Sequence, residues 1–504
     1  MKKIGNTGSF KKFYLNDQIY VDKTEYIYNL INNEARVFIS RPRRFGKSLT
    51  LDTIATLFET GVEPYFKGTW IYDKWTEPTY PVLRLNFLNF DKNSIEKFNN
   101  KLNSKITEFA ELNQVTTFKE KEEAEDSIDH LLEQLRLEGR QIVILIDEYD
   151  CQMTANINNE TLYKQFQEKI KSFYANIKNK WPIKFLGITG VTRLKDVEIF
   201  SIGSDIRDIT NASAYSQMIG FTRDEIKRYY IDYLKLAASY ENKCRVEEVT
   251  DTQIESMLDM MAQNYDGYCF DEFYKKKVFS TWSVNSFFQS IIENKFVYFD
   301  EYWYDNGGLP SILVNYLKTH ELNIFEYLDK DKFLKVSSDD FKNPTALTTI
   351  NQNVLMCQTG YLTLRSDLKK SSTVLLGIPN GEIYKALNRL LAKNIFKGNS
   401  DVTDDQGKNL LEVGSVDDII NLFNCALNSV SYDNYPIVSE SSVQNMLKLY
   451  LLGAHQKVLS EVHEAKGRAD LVVNTDNRRI VFEFKYAKNE TEAKSKLLDA
   501  VEQI

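Results

Sequence analysis

The sequence predicts an α/β protein of several domains, with a mostly parallel sheet at its N-terminal end, a helical and winged-helix-like middle region, and a small α/β unit at its C-terminal end. Three observations carry this. Over residues 1–215 short apolar runs alternate with helical stretches, the signature of strands joined by helical crossovers. From about 220 to 340 apolar positions recur at helical spacing among many aromatic residues. After residue 431 a helical pattern leads into two apolar runs joined by a turn, then a final helix. At roughly 100–200 residues per domain, 504 residues make three or four domains.

In the first segment the candidate strands are 37–40, 82–87, 142–146 and 183–188. The second, 216–340, reads as a helical lid or connector. In the third, 341–430, a helix-like stretch precedes two β-prone runs, CQTGYLTLR from Cys357 and STVLLGIPN from Ser372, which resemble a hairpin beside a short helical domain. The acidic stretch GNSDVTDDQGKN, from Gly398, reads as a linker or exposed loop. The fourth segment is 431–504.

Composition narrows the function classes. With 43% hydrophobic and 27% charged residues, 9 Pro and 21 Gly, the chain is a packed globular one, neither collagen-like nor disordered. A net charge of -8 argues against coating nucleic acid by bulk charge, so such a site has to be a local basic groove. No run of about 18 apolar residues occurs, and the basic start MKKIGNTGSFKK has no apolar stretch behind it. The expectation is a cytoplasmic protein with no membrane contact. Five scattered cysteines without a CxxC pair, and four histidines without ligand spacing, point to reduced thiols and away from zinc.

The segment VFISRPRRFGKSLTLDTIATLF, from Val37, reads as strand, loop and helix, with Gly46-Lys47-Ser48 opening the helix. Phosphate binding needs backbone N–H groups at a helix N-terminus, a lysine for the β- and γ-oxygens and a hydroxyl for Mg2+. Lys47 and Ser48 stand in those places, and Arg43, Arg44, Phe45, Gly46 and Leu49 complete the candidate nucleotide loop. Arg41 occupies the position of the usual first glycine, and Pro42 removes one donor, while Arg41, Arg43 and Arg44 add positive charge to the phosphate face. Alone, the string also reads as a basic loop capping a helix. The apolar run 142–146 then ends in Asp147-Glu148, at the strand end where α/β ligand sites lie. Asp147 suits Mg2+ held through water, and Glu148 suits orienting or deprotonating an attacking water. A later strand ends in Gly187-Ile188-Thr189, which puts Thr189 on the γ-phosphate side and Arg193 just beyond it as a phosphate sensor. Together these segments fit a P-loop fold with an additional strand that binds ATP or GTP.

The start IGNTGSFKKFYLNDQIYVDKT, the loop SRPRRFGKS, the strand IVILIDEYD, the stretch GITGVTRLKDVEIFS, and the later YDGYCF and QTGYLTLR together resemble the bacterial AAA-ATPase-like family. That family commonly joins its ATPase to a C-terminal nuclease domain of the PD-(D/E)XK superfamily, and shares the arginine in place of the first loop glycine. The resemblance implies ATP and Mg2+ as cofactors and a restriction-endonuclease-like fold for the last segment.

From Glu461 the chain reads EVHEAKGRADLVVNTDNRRIVFEFKY. Asp470 leads into one apolar run and 480–486 forms a second, a hairpin pattern in which Glu483 and Lys485 share one side and Phe482 and Phe484 the other. Two carboxylates on adjacent strands can hold a divalent metal beside a lysine that positions or polarises water. This is the PD-(D/E)XK constellation, here Asp470, Glu483 and Lys485, with Glu461 favoured over Glu440 as an extra metal-side carboxylate. The competing reading is a solvent-facing hairpin of alternating charges.

The leading function is an ATP-regulated, Mg2+-dependent nuclease, with DNA favoured over RNA and homo-oligomer assembly left open. The alternative is a nucleotide-gated switch whose nuclease fold is an inactive binding platform. A third reading places the Arg41–Arg44 loop on nucleic acid instead of nucleotide.

Overall fold

The computed structural model describes every residue except 195–204, 304–310, 318–319, 321–325, 345, 397–404, 432, 434, 455, 465–466, 476 and 504. Two compact units result, one of residues 1–319 and 333–382, the other of residues 320–332 and 383–504.

In the first unit, β1 (Arg36–Ser40), β2 (Val82–Asn86), β3 (Ile142–Asp147), β4 (Ile183–Gly190) and β5 (Arg207–Asp208) form one sheet in the order β2-β3-β4-β1-β5. Every pairing is parallel. The near-continuous apolar sequence of β3 is what a parallel strand covered on both faces requires, and all six of its residues are buried. β4 lies between β1 and β3, so the loop after β1 and the carboxylates after β3 are set apart by one strand, and Thr189 near the end of β4 stands between them. The four predicted strands are present, each within a few residues; β5 was not predicted, because two residues carry no periodicity.

The helical region follows. The helix Arg223–Tyr229 starts at Thr222, whose side chain and that of Glu225 close a capping box. With Ile231–Asn242, Asp251–Tyr265 and Thr281–Asn294 it builds an apolar core that also takes in Ile19 and Val21 of the N-terminal segment. The aromatic richness is spent here: Tyr230 stacks on Phe288 with centroids 5.2 Å apart, and Phe287 on Phe299 at 5.0 Å. Beyond it, β6 (Leu334–Ser337), β7 (Thr363–Leu364) and β8 (Thr373–Gly377) form an antiparallel sheet in the order β6-β8-β7, with the helices Ser338–Lys342 and Gln352–Thr359 between β6 and β7. Strand, two helices and hairpin make a winged-helix-like order that starts at Leu334.

The second unit differs from the predicted hairpin. β9 (Lys457–Glu464), β10 (Gly467–Asn474) and β11 (Arg479–Phe482) form a three-stranded antiparallel sheet in the order β11-β10-β9, between the helices Glu440–Gly453 and Glu490–Gln503 in sequence. Leu471, Val472 and Val473 at its centre are fully buried. The second predicted run, 480–486, pairs only as far as Phe482, because the Phe484 N–H turns to the Asp470 side chain instead of a strand carbonyl. The stretch predicted as a linker is helical from Asp405, in Asp405–Val413; its first residues lie outside the described ones.

Candidate functional site

The phosphate loop is built by two left-handed residues. Arg44 has φ 70° and Gly46 φ 105°, and Gly46 caps the helix Lys47–Thr60. A Cβ at Gly46 would meet nothing within 4 Å, so the backbone conformation, not space, selects glycine there. The Lys47 ammonium, buried, donates to the carbonyls of Arg41 at 2.9 Å and Pro42 at 3.2 Å and lies 3.7 Å from a Glu148 carboxylate oxygen.

The carboxylate of Asp147 organises the other side. Its Oδ2 accepts from the Ser48 hydroxyl at 2.6 Å and its Oδ1 from the Thr189 hydroxyl at 2.5 Å. The amide of Asn86, opposite Asp147 in the β2–β3 register, is 3.4 Å from Oδ2. Glu148 follows at φ 53°, a strained conformation for a non-glycine residue of the kind found at functional sites. Burial pushes its pKa above the usual carboxylate range, against the pull of the Lys47 charge. Asp150, buried two residues on, accepts from the Thr192 N–H and hydroxyl at 2.6 and 2.5 Å and so ties the end of β3 to the end of β4. Gly190 completes that junction, since a Cβ there would sit 2.4 Å from the Tyr149 ring.

The arginines of the loop divide by direction. Arg41 is 1% exposed, donates to the Ser40 and Thr210 carbonyls and lies over the Phe270 ring at 4.1 Å. Burial lowers its pKa to about 9. It is a strut, so the expectation that Arg41 adds positive charge to the phosphate face does not hold. Phe45 packs edge-on against Tyr268 and Phe270, which explains YDGYCF as the anchor of the loop. Arg44 stacks on Trp282 at 3.9 Å, its carbonyl accepting from the Thr281 hydroxyl, while the Arg43 carbonyl accepts from the Trp303 indole. Behind Trp303, the buried Glu382 carboxyl accepts from its N–H and from the Ser283 hydroxyl, each at 2.7 Å, and burial raises Glu382 to about 8.

A cavity of about 520 Å3 opens over Arg43, Arg44, Gly46, Lys47, Ser48 and Leu49, walled by Ile19, Val21, Phe221 and Trp282 and reaching Glu148. A second, of about 490 Å3, meets it at Ser48 and contains Asp147 and Asn86. Arg193 is elsewhere: its guanidinium pairs with Asp208 of β5, and it lines a separate cavity of about 40 Å3 with Arg41 and Gln358.

At the C-terminal site Asp470 is buried on β10, and its Oδ2 accepts from the Phe484 N–H at 2.9 Å. In the β10–β11 register the residue opposite Asp470 is Glu483, just past the ladder's end. The Lys485 ammonium pairs with the Glu483 carboxylate and lies 3.7 Å from Glu440. Burial alone would lower the Lys485 pKa, but Glu483, Glu440 and Asp470 outweigh it and raise it. Phe482 and Phe484 stack with centroids 6.1 Å apart, so the side-chain alternation persists where strand pairing has stopped. Glu461, exposed and at φ 51°, stands opposite Asp470 on β9. Glu440, not Glu461, is the carboxylate brought beside Lys485.

Both donor sets suit Mg2+. Ser48 and Asp147 give a hydroxyl and a carboxylate, and Asp470 and Glu483 two carboxylates; Mg2+ is held by one or two carboxylates while keeping several waters. Among the described residues no group of three His, Cys, Asp or Glu side chains is placed to hold a metal ion alone. Sequence reasoning missed Asn86, Asp150, Trp282 and Trp303. Only Asp150 carried a signal, as the last residue of IDEYD.

The sheet order and the loop define a P-loop nucleotide-binding fold with an additional strand. Residues 4–200 match the family described as "Predicted AAA-ATPase" and residues 438–504 the PD-(D/E)XK nuclease superfamily. The chain thus carries an AAA-ATPase-like domain ahead of a PD-(D/E)XK nuclease superfamily domain. An uncharacterized protein encoded in the vnfD 5' region of Azotobacter chroococcum mcd 1 is 26% identical over 482 residues, 93% of this chain and 86% of its own. Among solved structures, a Walker-type ATPase of Pyrococcus abyssi aligns with a TM-score of 0.36 at 11% identity, over 72% of this chain and 94% of its own. Cdc6p of Pyrobaculum aerophilum aligns with a TM-score of 0.29 at 11% identity, over 78% and 98%. No helix among the described residues is long and apolar enough to cross a membrane.

Proposed function

We propose that the chain binds and hydrolyses ATP and that this controls a Mg2+-dependent nuclease acting on nucleic acid, with DNA favoured. The observation that carries it is the Asp147 carboxylate gripped by the hydroxyls of Ser48 and Thr189 beside Lys47. Phosphate oxygens entering the loop exchange with the two carbonyls that hold Lys47, so the ammonium passes from loop to ligand without moving far. Ser48 and Asp147 would hold Mg2+, which would supply charge neutralisation for the phosphates. Glu148, an ionised carboxylate whose pKa burial raises and which lies beside Lys47, takes the proton of the attacking water once Lys47 turns to phosphate. A group of raised pKa is a better proton acceptor than an ordinary carboxylate.

In the second unit Asp470 and Glu483 would hold Mg2+, and Lys485 orients the water that attacks the phosphodiester. The four segments 1–215, 216–340, 341–430 and 431–504 serve in this reading as ATPase, lid, connector and nuclease. None of the five cysteines is in a disulfide, in keeping with a cytoplasmic protein. One observation favours the alternative of an inactive nuclease fold: Glu461 is turned into a left-handed conformation rather than completing a third carboxylate. Incubating the full chain with circular DNA and with RNA, with and without ATP and Mg2+, decides between them. Cleavage that needs Mg2+ and responds to ATP supports the nuclease; no cleavage of any substrate, with ATP still bound, supports the switch.

A further inference from the structure

Asp470 sits at a gap in its sheet. Pairing between β9 and β10 runs from Gly467 opposite Glu464 to Asn474 opposite Lys457, and Asp470 is the one residue of β10 in that span without a ladder partner. The residue facing it, Glu461, has φ 51°. On the other side, pairing with β11 begins only at Leu471. A peptide that loses ladder partners on both sides in a half-buried sheet must find others or lose stability. One is supplied: the Gln444 side-chain amide, from the helix Glu440–Gly453, donates to the Asp470 carbonyl at 3.0 Å, while the Asp470 carboxylate takes the Phe484 N–H at 2.9 Å.

Gln444 is the middle rung of a stripe. Glu440, Gln444 and Lys448 are four residues apart and share one helix face. Glu440 reaches Lys485 at 3.7 Å and Gln444 reaches Asp470. Lys448 is half-buried; burial lowers its pKa, opposed by the charges of Asp329 and, less, Glu461. The first two rungs thus address the lysine past β11 and the Asp470 carbonyl of β10.

We propose that Gln444 is a positioning residue for Asp470: it replaces the missing strand partner, holds the Asp470 peptide in place, and so aims the carboxylate at the metal position. This rests on the nuclease reading of the second unit. The test is titration of Mn2+ into the metal-free full chain by calorimetry, with a metal-free melting curve for each variant. Wild type should bind at a site that Asp470→Asn removes. Gln444→Met, which keeps size but loses the donor, should bind about 10- to 100-fold more weakly, the range found when groups supporting metal ligands are removed. Gln444→Asn, which keeps an amide on a shorter stem, should fall between and guards against a Met variant that does not fold. If Gln444→Met and Gln444→Asn melt lower but bind Mn2+ as wild type does, Gln444 is only structural and the proposal is overturned, with the metal site intact. If wild type shows no Mn2+ site, or Asp470→Asn binds unchanged, the nuclease reading fails and takes this role of Gln444 with it.

Discussion

The two sites reach polar order by opposite routes. At the phosphate loop Asp147 and Thr189 sit at the ends of paired parallel strands, and the hydroxyls of Ser48 and Thr189 already occupy both oxygens of Asp147. At the C-terminal site the decisive carboxylate sits where pairing fails, and single contacts from Gln444 and Phe484 stand in for the ladder. The first is held by the sheet. The second is held by side chains, and each lost contact should show directly in function.

The sharpest way to break this comparison is Asp470→Asn. It should reduce metal-dependent cleavage to background and remove any metal-induced rise in melting temperature, while ATP affinity by calorimetry stays at the wild-type value. A fall in ATP affinity would mean the two sites are one system. Glu148→Gln comes next. It should keep ATP bound but slow hydrolysis by about 10²–10⁴-fold, the usual worth of a general base, read as phosphate release. Lys47→Ala should weaken ATP by about 10- to 100-fold, equivalent to about 1.5–3 kcal/mol for a charge-assisted contact; unchanged affinity would remove the lysine from the phosphate site.

A last test, read in stability and not in activity, asks how deep the first site's order runs. Because Glu382 has its folded pKa raised from 4.5 to about 8 by burial, the folded state binds its proton more tightly than the unfolded chain does. Its contribution is therefore present at low pH and fades as pH rises between about 4.5 and about 8. Glu382→Gln keeps the acceptor for the Trp303 N–H and should flatten that part of the stability curve in urea melts. An unchanged slope would show that another group controls it.

The sequence carries the first site far more completely than the second. Strands β1 to β4 are legible because buried parallel strands are nearly unbroken apolar runs, and Lys47, Ser48, Asp147 and Thr189 because they follow those runs directly. Arg41 is not legible: its inward turn depends on Phe270 and Thr210, which only the fold brings near. Arg193 likewise pairs with Asp208, on a strand too short to announce itself. At the second site the alternation of Phe482 and Phe484 is real, but it outlasts the strand that should produce it, so the pattern overstates β11 by four residues, Glu483 to Tyr486. Gln444 leaves no trace in the sequence, since a glutamine on a helix has no period of its own.

The stacking of Arg44 on Trp282, with the Arg43 carbonyl on the indole of Trp303, gives the loop a built-in optical reporter. Two of the five tryptophans touch the loop at Arg43 and Arg44. A charged guanidinium 3.9 Å from an indole ring perturbs its emission, and drawing Arg44 toward a phosphate would lift that perturbation. Nucleotide entry should therefore be visible as a change in intrinsic fluorescence that Trp282→Phe removes, with no label attached and before any bond is cut.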